Sequence, residues 1–239
     1  MVDQAAYDFW YWPDIPGRGE FVRLTLEACR IPYRDRARED GAQALVADMQ
    51  RHGAGPAYAP PYLAMDGHTV SQTANILMFL AERHDCGPAT MEARYWLNQV
   101  QLTIMDMVAE AHDVHHPLSA TLYYEDQKAE AARAAAPFRT ERMPGYFAWF
   151  ERALGARHGD WLAGERWSYA DLSLWHLVEG LHHAFPRRMA TIAGEYPLMR
   201  ALCGRVATLD ALQAYLNSSR RIAFNRNGIF RHYPELDAA

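Results

Sequence analysis

Cysteine is scarce in this chain: Cys29, Cys86 and Cys203 are the three in 239 residues. Few, odd in number and far apart, they argue against a secreted disulfide framework and fit a reducing compartment. Positive charge is not in excess either. The 24 Lys and Arg stand against 29 Asp and Glu, a net charge of −5, so no basic face for nucleic acid is expected. No run approaches the ~20 apolar residues that a membrane helix needs. The opening MVDQAAYDFWYWPDIPG lacks a basic region, and its apolar stretch is short and aromatic, unlike a secretory signal. The expectation is a soluble protein of the cytoplasm.

What is present is ordinary for a globular protein: 50% hydrophobic and 22% charged residues. The length suits one large or two modest domains, with a core that needs no disulfide or metal. Residues 5–12 (AAYDFWYW) are aromatic-rich and read as a strand. Pro13 and Pro16-Gly17 break the chain. Phe21, Val22, Leu24, Leu26, Ala28 and Cys29 then suit a helix over 17–30 packed on a sheet. A short strand is expected at 33–37 and a helix of weaker pattern at 40–52. Residues 62–65, the Asp66-Gly67 turn and 68–70 read as a β-hairpin. A helix over 73–84 buries Ile76, Leu77, Phe79 and Leu80. The order β-α-β-α-β-β-α is that of a thioredoxin-like fold.

Residues 85–90 read as a linker, and the character then changes. Helices are expected at 91–116, 125–155, 169–183, 196–206 and 208–216, with no good strand candidate. The spacing thus predicts a thioredoxin-like α+β domain over 1–84 and an all-α domain over 91–239.

Three blocks, in order, carry a resemblance. Tyr11-Trp12-Pro13-Asp14-Ile15-Pro16-Gly17-Arg18-Gly19-Glu20-Phe21-Val22-Arg23 resembles the opening of the cytosolic glutathione transferases of the tyrosine type (alpha, mu, pi and sigma classes). Pro60-Pro61-Tyr62-Leu63, followed by Asp66-Gly67 and Ser71-Gln72-Thr73-Ala74-Asn75-Ile76-Leu77, is similar to that family's proline, hairpin and Gln-Ser block. Ser168-Tyr169-Ala170-Asp171 is similar to the capping box of its second domain.

The resemblance implies an enzyme that joins the glutathione thiolate to hydrophobic electrophiles, with glutathione as co-substrate and a homodimeric assembly. Glutathione-dependent isomerisation or peroxide reduction, and a non-catalytic binding protein of the same fold, are the alternatives. The chemistry is that of a thiol whose pKa is about 8.5. Lowering it by about two units takes about 2.7 kcal/mol of preference for the anion. A tyrosine hydroxyl, a guanidinium and a helix N-terminus can together supply that.

Tyr11 is the candidate hydroxyl donor; as one of Tyr7, Phe9 and Tyr11 on one strand face, it also reads as a core aromatic. It lies six residues before Gly17, where most tyrosine classes have five and this chain has Trp12. One extra loop residue, such as Pro13, restores the match. Arg18 faces the thiolate by resemblance, or is a solvated arginine. Arg23 reads as a structural ion-pair partner. No cysteine or serine stands among residues 11–20, which disfavours disulfide chemistry at this turn, and Cys29 reads as packing.

Gln72 and Thr73 would hold the γ-glutamyl carboxylate at a helix N-terminus, or Ser71 or Thr73 simply caps the helix. Pro61 aligns with the family's cis-proline, which presents the preceding backbone to the cysteinyl part of glutathione. That preceding residue is Pro60, which has no N–H; alternatively Pro60 is itself cis. A cation for the glycyl carboxylate is expected among Arg51, His52, Arg36 and Arg38. Asp106 falls near where the family sends an acidic residue across the dimer, or is an ordinary polar helix position. His112, His115 and His116 share a helix end, but no H-E-x-x-H or third clustered ligand supports a metal, and none is expected. Met105, Met107, Leu118, Tyr123 and Tyr124 would line the co-substrate pocket or pack in the core. The tail over 225–233 would cover that pocket or lie on the surface.

Overall fold

A computed structural model describes residues 7–51, 55–65 and 67–238. Residues 5, 6, His52 and Asp66 of the readings above lie outside them. The chain divides into two compact units: 1–98 with 209–223, and 99–208 with 224–239.

The first unit is built on a four-stranded sheet of order β2-β1-β3-β4. The strands are β1 (Tyr7–Trp10), β2 (Tyr33–Asp35), β3 (Tyr62–Met65) and β4 (His68–Ser71). β1 runs parallel to β2 and antiparallel to β3, and β3 is antiparallel to β4. With α1 (Gly17–Ala28), α2 (Arg36–Asp40), α3 (Ala42–Met49) and α4 (Thr73–Arg83), this is the thioredoxin-like arrangement. The expected helix over 40–52 is two helices, because Gly41, at φ 91°, interrupts the right-handed run. α2 begins four residues earlier than expected, at Arg36, taking residues assigned to the second strand.

Strand alternation sorts the aromatics onto two faces. Tyr7, Phe9 and Tyr11 pack with Val22, Leu26, Ile76 and Leu80 of α1 and α4. Trp10 and Tyr62 pack with Ala37 and Leu45 of α2 and α3. α1 packs on α4 and also on α11 (Asp210–Leu216), which belongs to this unit. Glu20 and Arg23 are therefore wholly buried. Arg23 pairs with Asp35 at 2.7 Å and Glu20 at 3.6 Å, a structural role as expected.

The second unit is helical: α5 (Met91–Asp113) from residue 99 on, α6 (Lys128–Pro137), α7 (Met143–Gly155), α8 (Tyr169–Ala184), α9 (Pro186–Ile192) and α10 (Pro197–Ala207). α8 is buried over most of its length, with Glu179, His182 and His183 partly or wholly exposed. Its first turn is fixed by Asp171, whose carboxylate accepts the N–H of Leu162, the N–H of Ser168 and the Ser168 hydroxyl. The single helix expected over 125–155 is instead α6 and α7, joined by a π-helical turn over Phe138–Arg142. Pro137 and Pro144 bracket that turn; each lacks the N–H that a regular α-helix needs. α5 ends three residues short of the expected 116, leaving His115 and His116 beyond it. α9 was not expected, and its first N–H groups are held by a residue remote in sequence: Asp237 accepts from Arg187 and Arg188 at 2.8 and 3.1 Å.

The tail is part of the second unit's core. Ile229, Phe230 and Leu236 are buried. The Phe230 ring lies so close to Gly180 that a Cβ there would stand 2.4 Å from it. Among the described residues no helix is long and apolar enough to cross a membrane.

Candidate active site

Register brings three of the candidate residues to one edge of the sheet. Trp10 pairs with Tyr62, and Tyr62 with Ser71. The next residues outward along this row are Tyr11, Pro61 and Gln72. α1 and α4 begin at the same edge, so the row lies beside two helix N-termini, where free N–H groups favour an anion.

Tyr11 is buried, with its hydroxyl oxygen 2.9 Å from the Arg18 N–H, which donates to it. Its ring lies flat against the start of α1. A Cβ on Gly17 would stand 2.2 Å from the hydroxyl oxygen, and one on Gly19 would stand 2.4 Å from the ring carbons Cγ and Cδ1. Gly17 also has φ 41°. The Gly17-Arg18-Gly19 sequence therefore lets the helix close onto the tyrosine. Burial raises the Tyr11 pKa, against smaller opposing effects of the Arg18 N–H, the Arg18 and Arg23 guanidiniums and the Gly19 N–H. The phenol is therefore protonated near neutrality. Its oxygen accepts from the helix, and its own proton has no acceptor among the described residues. Arg18 is half-buried at the same turn, and its guanidinium pairs with no carboxylate among the described residues.

Gln72 caps α4 with φ 70° and ψ 121°, a backbone conformation rare for any residue but glycine. Holding it there costs about 1–3 kcal/mol, the kind of strain that clusters at binding sites. Next to it, the Thr73 hydroxyl is buried with no hydrogen-bond partner among the described residues. A buried hydroxyl without a partner is uncommon in folded proteins, and this one stands at the N-terminus of α4. The Pro60–Pro61 peptide bond is cis, so Pro61 is the cis residue of the pair.

The cations sort by what already holds them. Arg36 is clamped by Asp40 and Asp8 and lies over the Trp10 ring. Arg38 donates to the carbonyls of Arg220 and Ser219. Arg51, one turn beyond α3, is exposed and donates from Nε to the Ala47 carbonyl at 3.2 Å. It is close enough to Tyr62, in the sheet-edge row, to favour the ionised phenol there, although burial and Asp48 raise that pKa.

Asp106 is an exposed residue of α5 in the second unit. In that unit His112 and His116 stack, and His115 meets both edge-on, with ring centroids 4.6–5.0 Å apart. The His115 Nε2 lies 2.7 Å from the Ile229 carbonyl. Among the described residues no group of His, Cys, Asp or Glu has the geometry to hold a metal. Met107 and Tyr124 are buried; Leu118 and Tyr123 are exposed.

The sequence reading missed Gly19 as the seat of the Tyr11 ring, and it missed the network behind α1. Glu20 is held by Tyr215, Arg221 and Arg23. Repeated glycines at a helix start were the available signal for the first. The second had none, because Tyr215 lies 195 residues from Glu20.

Residues 112–219 match the family model described as glutathione S-transferase, C-terminal domain. The chain is 27% identical over 214 residues to glutathione S-transferase A3 of Mus musculus, covering 87% of this chain and 88% of that one. It is 26% identical over 221 residues to glutathione S-transferase Mu 4 of Mus musculus, covering 88% and 90%. Among solved structures, a pi-class glutathione S-transferase of Onchocerca volvulus superposes with a TM-score of 0.69 at 20% identity, covering 88% of this chain and 92% of that one. A rat hPGDS complexed with a quinoline gives a TM-score of 0.68 at 19% identity, covering 88% and 95%.

Proposed function

Since this chain belongs to the cytosolic glutathione transferase family, we propose that it conjugates the glutathione thiolate to hydrophobic electrophiles, using the sheet-edge row of the first unit. The observation that carries this reading is the Tyr11 hydroxyl, fixed through its oxygen by the Arg18 N–H at 2.9 Å and left with a proton to give.

In this reading the sulfur of glutathione accepts the Tyr11 O–H. A hydrogen bond donated to the anion favours the thiolate over the thiol. The Arg18 guanidinium and the N-terminus of α1 add positive potential at the same place. The thiolate then attacks an electrophilic carbon, and the leaving group departs with the electron pair of the broken bond. The two reactants held together make the step effectively unimolecular. The Thr73 hydroxyl and the free N–H groups of α4 take the γ-glutamyl carboxylate, with Gln72 beside them. The Pro60 carbonyl, before the cis bond, faces the cysteinyl segment as an acceptor only. Arg51 takes the glycyl carboxylate, being the described candidate least engaged with other groups. Asp106 serves the glutathione bound by a second copy in a homodimer. The protein acts in the cytoplasm, a reading supported by its three unpaired cysteines.

The test is an ultraviolet titration of bound glutathione thiolate against pH. The wild type should show a thiol pKa well below that of free glutathione, and Tyr11→Phe should return it most of the way. An unmoved pKa in a protein that still binds glutathione would remove the activation mechanism.

A further inference from the structure

β1 and β4 run in the same direction, since each is antiparallel to β3. α1 and α4 follow these strands from the same sheet edge and pack against each other, so they run parallel and their C-terminal ends meet. Each end is followed by a cysteine. Cys29 comes directly after Ala28, the last residue of α1, and Cys86 comes three residues after Arg83, the last of α4. Both side chains pack on the same buried cluster, which includes Leu26, Ile76 and Leu80. The chain doubles back over the end of α4 at Asp85, whose φ is 50°. The Cys86 N–H donates to the Ala81 carbonyl at 3.2 Å, and its Sγ lies 3.7 Å from the Leu80 carbonyl. The two thiols are close enough that each shifts the other's ionisation. Both are half-buried, which admits a small reagent.

We propose that Cys29 and Cys86 form a redox couple, converted by a low-molecular-weight disulfide such as oxidised glutathione into an intramolecular disulfide that staples the C-terminal ends of α1 and α4. The reaction balances as two exchanges. The Cys86 thiol loses its proton to solvent, and its sulfur attacks one sulfur of the reagent. A mixed disulfide forms and one thiolate leaves. Cys29 then loses its proton, and its sulfur attacks the Cys86 sulfur of that mixed disulfide. The protein disulfide forms and the second thiolate leaves. Two protein thiols are oxidised and one reagent disulfide is reduced to two thiols. Cys86 attacks first because the neighbouring Cys29 thiol holds its thiol below the usual range, while the Cys86 neighbour and burial push Cys29 up. The remaining cysteine, Cys203, belongs to the second unit, where burial and Glu179 push its thiol up to about 12.

The two stapled helices are those whose N-termini flank the candidate glutathione site, yet the couple itself does not depend on that site. Its test therefore reads thiols and not activity. The full chain is incubated with oxidised glutathione, denatured, alkylated with a maleimide and weighed intact, then digested without reductant. The number of alkylated thiols should fall from three to one, with a peptide cross-linked between Cys29 and Cys86. Dithiothreitol should restore all three. Cys203→Ser should still lose two, whereas Cys29→Ser and Cys86→Ser should form no intramolecular bridge. Three thiols still alkylated, stable glutathione adducts on Cys29 or Cys86 without a cross-link, or a bridge to Cys203 or to a second chain would each overturn the proposal.

Discussion

The Tyr215 hydroxyl lies 2.9 and 3.0 Å from the two carboxylate oxygens of Glu20, which has no exposure to solvent. It ties α11 to the first turn of α1, the turn that supports Tyr11 and Arg18. Burial raises the Glu20 pKa, while Arg23, Arg221 and Tyr215 pull it back. Tyr215→Phe removes one donor from this buried carboxylate and should destabilise the protein by about 1–3 kcal/mol. Urea unfolding monitored by tryptophan fluorescence measures it. A change within experimental error would show that the remaining arginines suffice.

Gly19→Ala places a methyl group 2.4 Å from the base of the Tyr11 ring. Rotating the side chain cannot relieve it all, since the methyl group also stands 2.9 Å from the Tyr11 Cβ. Either the helix start or the tyrosine must shift, at about 1–3 kcal/mol for such overpacking. Glutathione affinity measured by calorimetry should fall at least several-fold along with stability. Retention of both would mean that α1 moves without consequence for Tyr11.

Thr73→Val separates binding from folding. The shape is kept and a buried hydroxyl with no described partner is lost. Stability should hold or rise by up to about 1 kcal/mol. Affinity for glutathione should drop by roughly tenfold, the loss of about 1.4 kcal/mol of hydrogen bonding. A stable variant with unchanged affinity would assign the hydroxyl no ligand.

Acid should loosen the second unit through His115. Burial pushes its pKa down from 6.5 to about 3, with Arg231 and the neighbouring histidines helping and the Ile229 carbonyl opposing. The fold holds the neutral ring, while the unfolded chain takes up a proton near 6.5. The contribution is thus complete above about pH 6.5 and is lost as pH falls toward 3. Between pH 7.5 and 5 the loss is about 2 kcal/mol. Asp171 has the opposite sign: burial pushes its pKa from 3.8 up to about 6. Its contribution is present at low pH and lost as pH rises through 6. The difference between wild type and His115→Gln in denaturation midpoint at the two pH values isolates the histidine. Equal slopes in the two proteins would refute the assignment.

Much of the fold was legible in local signals. Aromatic alternation in Tyr7, Phe9 and Tyr11 gave the strand, Ser168 and Asp171 gave the start of α8, and the Pro60-Pro61 pair marked the backbone that turns out to be cis. The rest depended on partners remote in sequence. α9 is short and takes its cap from Asp237, fifty residues away. The break between α6 and α7 comes from two prolines whose missing N–H groups an Ala-rich composition conceals. At the site, the types of Tyr11, Arg18, Gln72 and Thr73 were readable. The strained Gln72 backbone, the unmatched Thr73 hydroxyl and the prior engagement of Arg36 and Arg38 required coordinates.

The return of residues 209–223 to the first unit has a consequence for biosynthesis. The ribosome releases the whole sheet and α1 to α4 long before it makes Tyr215 and Arg221, because all of 99–208 is translated between them. Until then Glu20, and the helix start that seats Tyr11, lack two of their partners. A nascent chain halted near residue 98 should bind glutathione poorly however well its sheet has formed, and competence should arrive late, once residues 209–223 have been made.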